Sequence, residues 1–94
     1  MSEANIRKAV LEVITEIQRL SGRQVPDQID DSVCPIGAIN GFDSINAVEA
    51  TVMLSEKLEC EIDFNPFISD GGTKALKLKQ VVARLNKLVV SKEK

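Results

Sequence analysis

Gly41-Phe42-Asp43-Ser44-Ile45-Asn46-Ala47-Val48-Glu49 marks the point where this chain passes from a glycine- and proline-punctuated stretch into a sustained helical period. From about Ser44 to Glu59, at about 100° per residue, Ala47, Ala50, Thr51, Leu54 and Leu58 fall on one side, the expected core face. Asp43 or Ser44 can cap the start. Ile45, Val48 and Val52 fall roughly opposite, beside Glu49, Glu56 and Glu59. One exposed apolar residue means little, but three in line among carboxylates read as a contact surface. The competing reading packs Val48 and Val52 beneath the preceding loop. Ser44 itself stands at a helix start, where unpaired N–H groups and the positive end of the dipole accommodate an attached phosphate.

Upstream, Ile6, Val10, Val13, Ile14, Ile17 and Leu20 keep helical spacing, with Ser2 as the expected N-cap and Gly22 as the stop. Residues 22–43 contain Gly22, Pro26, Pro35, Gly37, Asn40 and Gly41 and hold no period. A loop of about twenty residues is unusual in a small domain. Val25, Ile29, Val33, Ile36 and Ile39 supply apolar anchors, so it reads as an ordered connection with room for one helical turn. Downstream, Asn65-Pro66 is an N-cap followed by proline at N1. It predicts a short helix over about Pro66–Ser69, ended by Asp70-Gly71-Gly72. Thr73 is the expected cap of a last helix whose apolar face is Leu78, Val81, Val82, Leu85, Leu88 and Val89, with residues 91–94 fraying. The expected fold is all-α: a four-helix bundle of three principal helices plus a short third one, with a long loop between helices 1 and 2, in a single domain over residues 1–94.

Composition agrees. Of 94 residues, 44% are hydrophobic but only Phe42, Phe64 and Phe67 are aromatic. An aliphatic core favours helix-on-helix packing, and three aromatics leave few platforms for nucleic-acid bases. No apolar run approaches the about 20 residues needed to span a bilayer, and no signal-peptide core opens the chain. The expected compartment is the cytoplasm, with Cys34 and Cys60 as reduced thiols rather than a pair. The net charge of −2 conceals segregation. Residues 27–70 carry ten acidic groups against Lys57 alone, a net −9, whereas residues 71–94 carry seven basic groups against Glu93. The middle third should steer basic partners. The lysines of the last helix are dispersed, as on a solvated face.

Catalytic chemistry finds little support. The chain has no histidine, which removes Ser–His and Cys–His pairs and a Cys/His zinc set. Asp27, Asp30 and Asp31 lack the glycine and terminal glutamate of an EF-hand loop, so no metal site is expected. No glycine-rich loop with lysine is present for nucleotide phosphates. An enzyme acting alone is not the expectation. Without a base to activate it, Ser44 is more readily modified than nucleophilic.

The run from Gly41 to Glu49 resembles the Gly-x-Asp-Ser-Leu signature of acyl carrier proteins, with the Val-Glu that commonly follows. The likeness continues through Leu54, Glu56, Leu58 and Glu61-Ile62 and extends to the layout of helices over most of the chain. The resemblance implies a 4'-phosphopantetheine arm on Ser44, with its thiol holding an acyl or aminoacyl thioester. It implies that Asp43 assists a phosphopantetheinyl transferase near its magnesium ion. Ile45, standing where leucine is usual, would contact that transferase and later partners. Glu49 and Glu56 would meet basic patches on loading and processing enzymes, within the surface of Ile45, Val48, Glu49, Val52, Glu56 and Glu59. The basic last helix, Ala50 in place of a larger aliphatic and Asp63 in place of proline depart from the family pattern. They suggest a carrier outside bulk fatty acid biosynthesis, serving a specialised acyl, aminoacyl, lipid or polyketide pathway; the expected state is a monomer. The alternative is an unmodified helical adaptor that binds partners through the same acidic helix.

Overall fold

The computed structural model describes residues 2–25, 29–39 and 41–92. Ser2 caps the first helix, α1 (Glu3–Leu20), its hydroxyl oxygen accepting from the Asn5 N–H at 3.2 Å. Ile6, Val10, Val13, Ile14 and Ile17 are buried along one face, as their spacing requires. Leu20, expected on that stripe, is instead 74% exposed, because the helix ends at it. The ending is a Schellman motif. Gly22, at φ 68°, donates to the Arg19 carbonyl at 3.1 Å, and Arg23 N–H donates to the Gln18 carbonyl at 2.9 Å. Buried Gln18 donates its amide to the Gln24 carbonyl at 3.0 Å, tying the helix end to the chain that leaves it.

The described parts of the long loop are held by apolar anchors. Ile29 and Ile39 are buried, and Val25, Val33 and Ile36 are half-buried. Arg7 on α1 reaches across to Asp31 Oδ1 at 2.9 Å and to the Ile29 carbonyl at 3.1 Å. The loop contains the short helix of this fold, α2 (Pro35–Ala38), in which Ile36 and Gly37 depart from helical dihedrals. The expected Pro26 and Asn40 turn positions lie outside the described residues.

Next comes α3 (Ser44–Leu58), which buries Ala47, Ala50, Thr51, Leu54 and Leu58, the face read from the sequence. Thr51 also returns its hydroxyl to the Ala47 carbonyl at 2.8 Å. The helix stops at Glu59, which takes the left-handed conformation at φ 51°.

The short helix expected over Pro66–Ser69 does not form. Asn65 does cap a turn, accepting from Phe67 N–H at 3.0 Å, and Ile68 N–H donates to the Asn65 carbonyl at 3.3 Å. The backbone then opens out, because its next donors and acceptors are committed to a later segment. Ser69 N–H donates to the Lys74 carbonyl at 2.8 Å, and Leu76 N–H to the Phe67 carbonyl at 2.9 Å, around an isolated antiparallel bridge between Ile68 and Ala75. Among the described residues there is no strand beyond that bridge. The same pairing occupies residues 74–76, so Thr73 does not cap the last helix.

That helix, α4, runs Leu78–Lys92. Its first donors are taken by the long loop: Leu78 N–H by the Val33 carbonyl at 2.7 Å and Lys79 N–H by the Asp31 carbonyl at 3.0 Å. Leu78, Val81, Val82, Leu85 and Val89 are buried and Leu88 is half-buried. Where fraying was expected from residue 91, the helix continues through Lys92; residues 93–94 lie outside the described residues. Helix α1 packs against both α3 and α4. The result is a compact all-α globule with three principal helices and one short one, the short one lying before α3 rather than after it. No helix among the described residues is long and apolar enough to cross a membrane.

Candidate functional site

The start of α3 is built by side chains that cap it from outside. Asp43 is the N-cap, and its Oδ1 accepts from both Ile45 N–H at 3.1 Å and Asn46 N–H at 3.0 Å. Asn46 returns the favour through Oδ1, which accepts from Asp43 N–H at 3.5 Å and completes a capping box. By residue type either Asp43 or Ser44 can cap the helix, and the geometry assigns the cap to Asp43. Ser44 is therefore N1, exposed, with a hydroxyl that takes no part in the cap. Both cap bonds fall on one carboxylate oxygen, so Asp43 Oδ2 stays outside the cap on an exposed side chain.

One expectation needs correction. The helix start was expected to offer a set of unpaired N–H groups, but those of Asp43, Ile45 and Asn46 are already taken. What this end still offers an anion is the Ser44 N–H together with the positive end of the helix dipole.

A consequence is measurable. Asp43→Ala removes the cap and should cost about 1 kcal/mol, whereas Ser44→Ala, at an exposed position with no capping duty, should fall within about 0.5 kcal/mol of the parent. Urea denaturation of the two variants checks the ordering.

The loop entering the site is held from beneath by Phe42, for which the sequence alone predicts no packing role. It is 2% exposed and packs edge-on against Phe67, ring centroids 5.6 Å apart at 62°. Its signal was faint: a lone aromatic in a glycine-bounded turn shows no period. The segment is held from the side by Arg23, whose Nη1 donates to the Gly41 carbonyl and to Asn46 Oδ1, the latter at 2.8 Å.

Beyond Ser44 the outward face of α3 is continuous. Ile45 is 70%, Val48 56% and Val52 57% exposed, so none of them packs beneath the long loop. Glu49 and Glu56 are exposed, and with Ile45, Val48 and Val52 they span an arc of about 100° around the helix. Glu59 is exposed too, but at the left-handed cap just past the helix, so it extends the acidic end rather than the stripe. Lys57 faces elsewhere, lining a shallow groove with Lys8, Leu11 and Met53 between α1 and α3.

The other chemistry-bearing residues are not gathered here. Cys34 and Cys60 are half-buried free thiols. Asp31 is engaged by Arg7, and Asp27 lies outside the described residues. No cluster of three or more metal-ligating side chains occurs among the described residues.

No protein-family model matches the chain, and neither a curated protein nor a solved structure matches it.

Proposed function

We propose that the chain is a freestanding carrier protein, modified on Ser44 by 4'-phosphopantetheine and docked on its partners through the outward face of α3. The observation that carries the reading is the exposed Ser44 hydroxyl at N1, relieved of capping by Asp43, at the head of an apolar stripe among carboxylates. The residues fit the group. Ser44 Oγ is free to form a phosphodiester, the helix dipole favours the phosphate's charge, and Asp43 Oδ2 is available to the transferase's magnesium ion. The bound arm supplies a thiol that carries an acyl or aminoacyl group as a thioester.

The chain itself performs no bond chemistry in this reading. In the transfer from coenzyme A, Ser44 Oγ would give its proton to a base of the transferase and bond to phosphorus as the pyrophosphate P–O bond breaks, releasing adenosine 3',5'-bisphosphate. After that, the bundle keeps the attachment point fixed, and the tether raises the local concentration of the cargo at each enzyme's active site. Ile45, Val48 and Val52 supply a small apolar contact, and Glu49, Glu56 and Glu59 steer basic surfaces toward it. A contact of this size suits the weak, fast exchange that a carrier needs. The proposed setting is cytoplasmic and the proposed state monomeric, serving a specialised acyl or lipid pathway.

The test is intact mass after incubation with coenzyme A, magnesium and a broad-specificity phosphopantetheinyl transferase. The parent should gain one phosphopantetheine and Ser44→Ala none. A parent that gains nothing from several transferases, while remaining folded, contradicts the proposal.

A further inference from the structure

Arg23 and the Ser44 segment are far apart in sequence, and the fold puts one on top of the other. The Schellman ending of α1 fixes the Arg23 backbone, through its N–H to the Gln18 carbonyl at 2.9 Å. Its half-buried side chain then crosses to the start of α3. There a single nitrogen, Nη1, donates both to the Gly41 carbonyl and to Asn46 Oδ1. These two acceptors flank the Asp43–Ser44 pair, one on the entering loop and one on the first helical turn. Asn46 is also the residue that closes the capping box on Asp43.

Gly41 is shaped to this contact. It holds φ 77°, and a Cβ there would lie 2.5 Å from Arg23 Cδ and 2.6 Å from Nε. A side chain at position 41 would therefore force the Arg23 side chain to shift from the position in which it bonds Gly41 and Asn46. The glycine of the segment thus serves two needs, a left-handed backbone and a bed for the Arg23 side chain.

We propose that Arg23 is the positioning residue for Ser44: by clamping Gly41 to Asn46 it holds the segment in the one conformation that the modifying transferase binds. The inference rests on the carrier reading and adds to it a residue eighteen or more positions away from the segment it serves. Without the clamp, the loop before Ser44 populates several arrangements, and apparent affinity falls by the fraction that remains competent. The effect therefore appears in KM and not in kcat, since the modified hydroxyl and Asp43 are unchanged once bound.

Steady-state modification with coenzyme A and a phosphopantetheinyl transferase tests this, at a temperature where circular dichroism shows every variant folded. Arg23→Ala should raise the KM for the carrier about tenfold and leave kcat within about twofold. Arg23→Lys keeps a cation with several donors on a shorter reach and should recover about half of that loss on a logarithmic scale. Gly41→Ala should raise KM as well, and combined with Arg23→Ala it should raise it by less than the product of the single effects, because the displaced side chain is already gone. Arg23→Ala with the parent's KM and only a lowered unfolding midpoint overturns the inference and reduces Arg23 to a structural tie. A parent that takes no arm overturns both this inference and the carrier reading, whereas a modified parent with an indifferent Arg23 overturns this one alone.

Discussion

Phe42→Ala should destabilise the chain by about 3–5 kcal/mol, the range for a large aromatic removed from a packed core. Phe42 is essentially inaccessible, and its ring meets the wholly buried Phe67 edge-on. A pair of this kind adds about 0.5–1.5 kcal/mol beyond the area it buries. A domain of 94 residues has roughly 5–14 kcal/mol in total, so the change takes a large share of the margin. At about 4–8 °C per kcal/mol, the melting temperature should fall by at least about 12 °C. Thermal unfolding followed by circular dichroism reads it directly. A loss under about 1 kcal/mol would mean that the ring does not occupy the core. The consequence reaches the site, because Phe42 stands two residues before Ser44 and pins the loop that delivers it.

Glu49→Lys together with Glu56→Lys should leave the fold intact and sharply weaken docking on basic partners at low salt. Both carboxylates are exposed, and surface changes of this kind ordinarily move stability by no more than about 0.5 kcal/mol. In the carrier proposal, however, the approach of a basic partner would be steered by the net −9 of residues 27–70. Reversing two charges at the centre of the contact replaces attraction by repulsion there. Association should slow by at least about tenfold at low salt, and the loss should shrink as salt screens both fields. Stopped-flow association with the modifying transferase, across ionic strength, measures it. Unchanged rates at low salt would remove the docking role from this face.

The helices themselves were legible because burial repeats along them. The core faces of α1, α3 and α4 follow from Ile6 to Ile17, from Ala47 to Leu58 and from Leu78 to Val89, each at helical spacing. The outward stripe on α3 was legible as a pattern, but its freedom from the loop was not, since that depends on where residues 29–39 run. Long-range backbone pairing hid the rest. Asn65-Pro66 begins a turn as its chemistry requires, yet the Ser69 N–H is spent on the Lys74 carbonyl and the Phe67 carbonyl is taken by the Leu76 N–H. Thr73 fails as a cap for the same reason. The cap at α3 was ambiguous because Asp43 and Ser44 are both good N-caps, and only the geometry separates them. Arg23 left no local trace at all: its partners lie 18 and 23 residues ahead, a distance over which spacing carries no signal.

The measurement that tests the carrier account most directly is top-down mass spectrometry of the chain purified from its native host. The account predicts a phosphopantetheine on Ser44, with a fraction of molecules carrying a further acyl or aminoacyl mass that hydroxylamine removes from the thiol. A chain recovered with Ser44 bare under every growth condition would contradict it, and would leave α3 as the binding face of an unmodified adaptor.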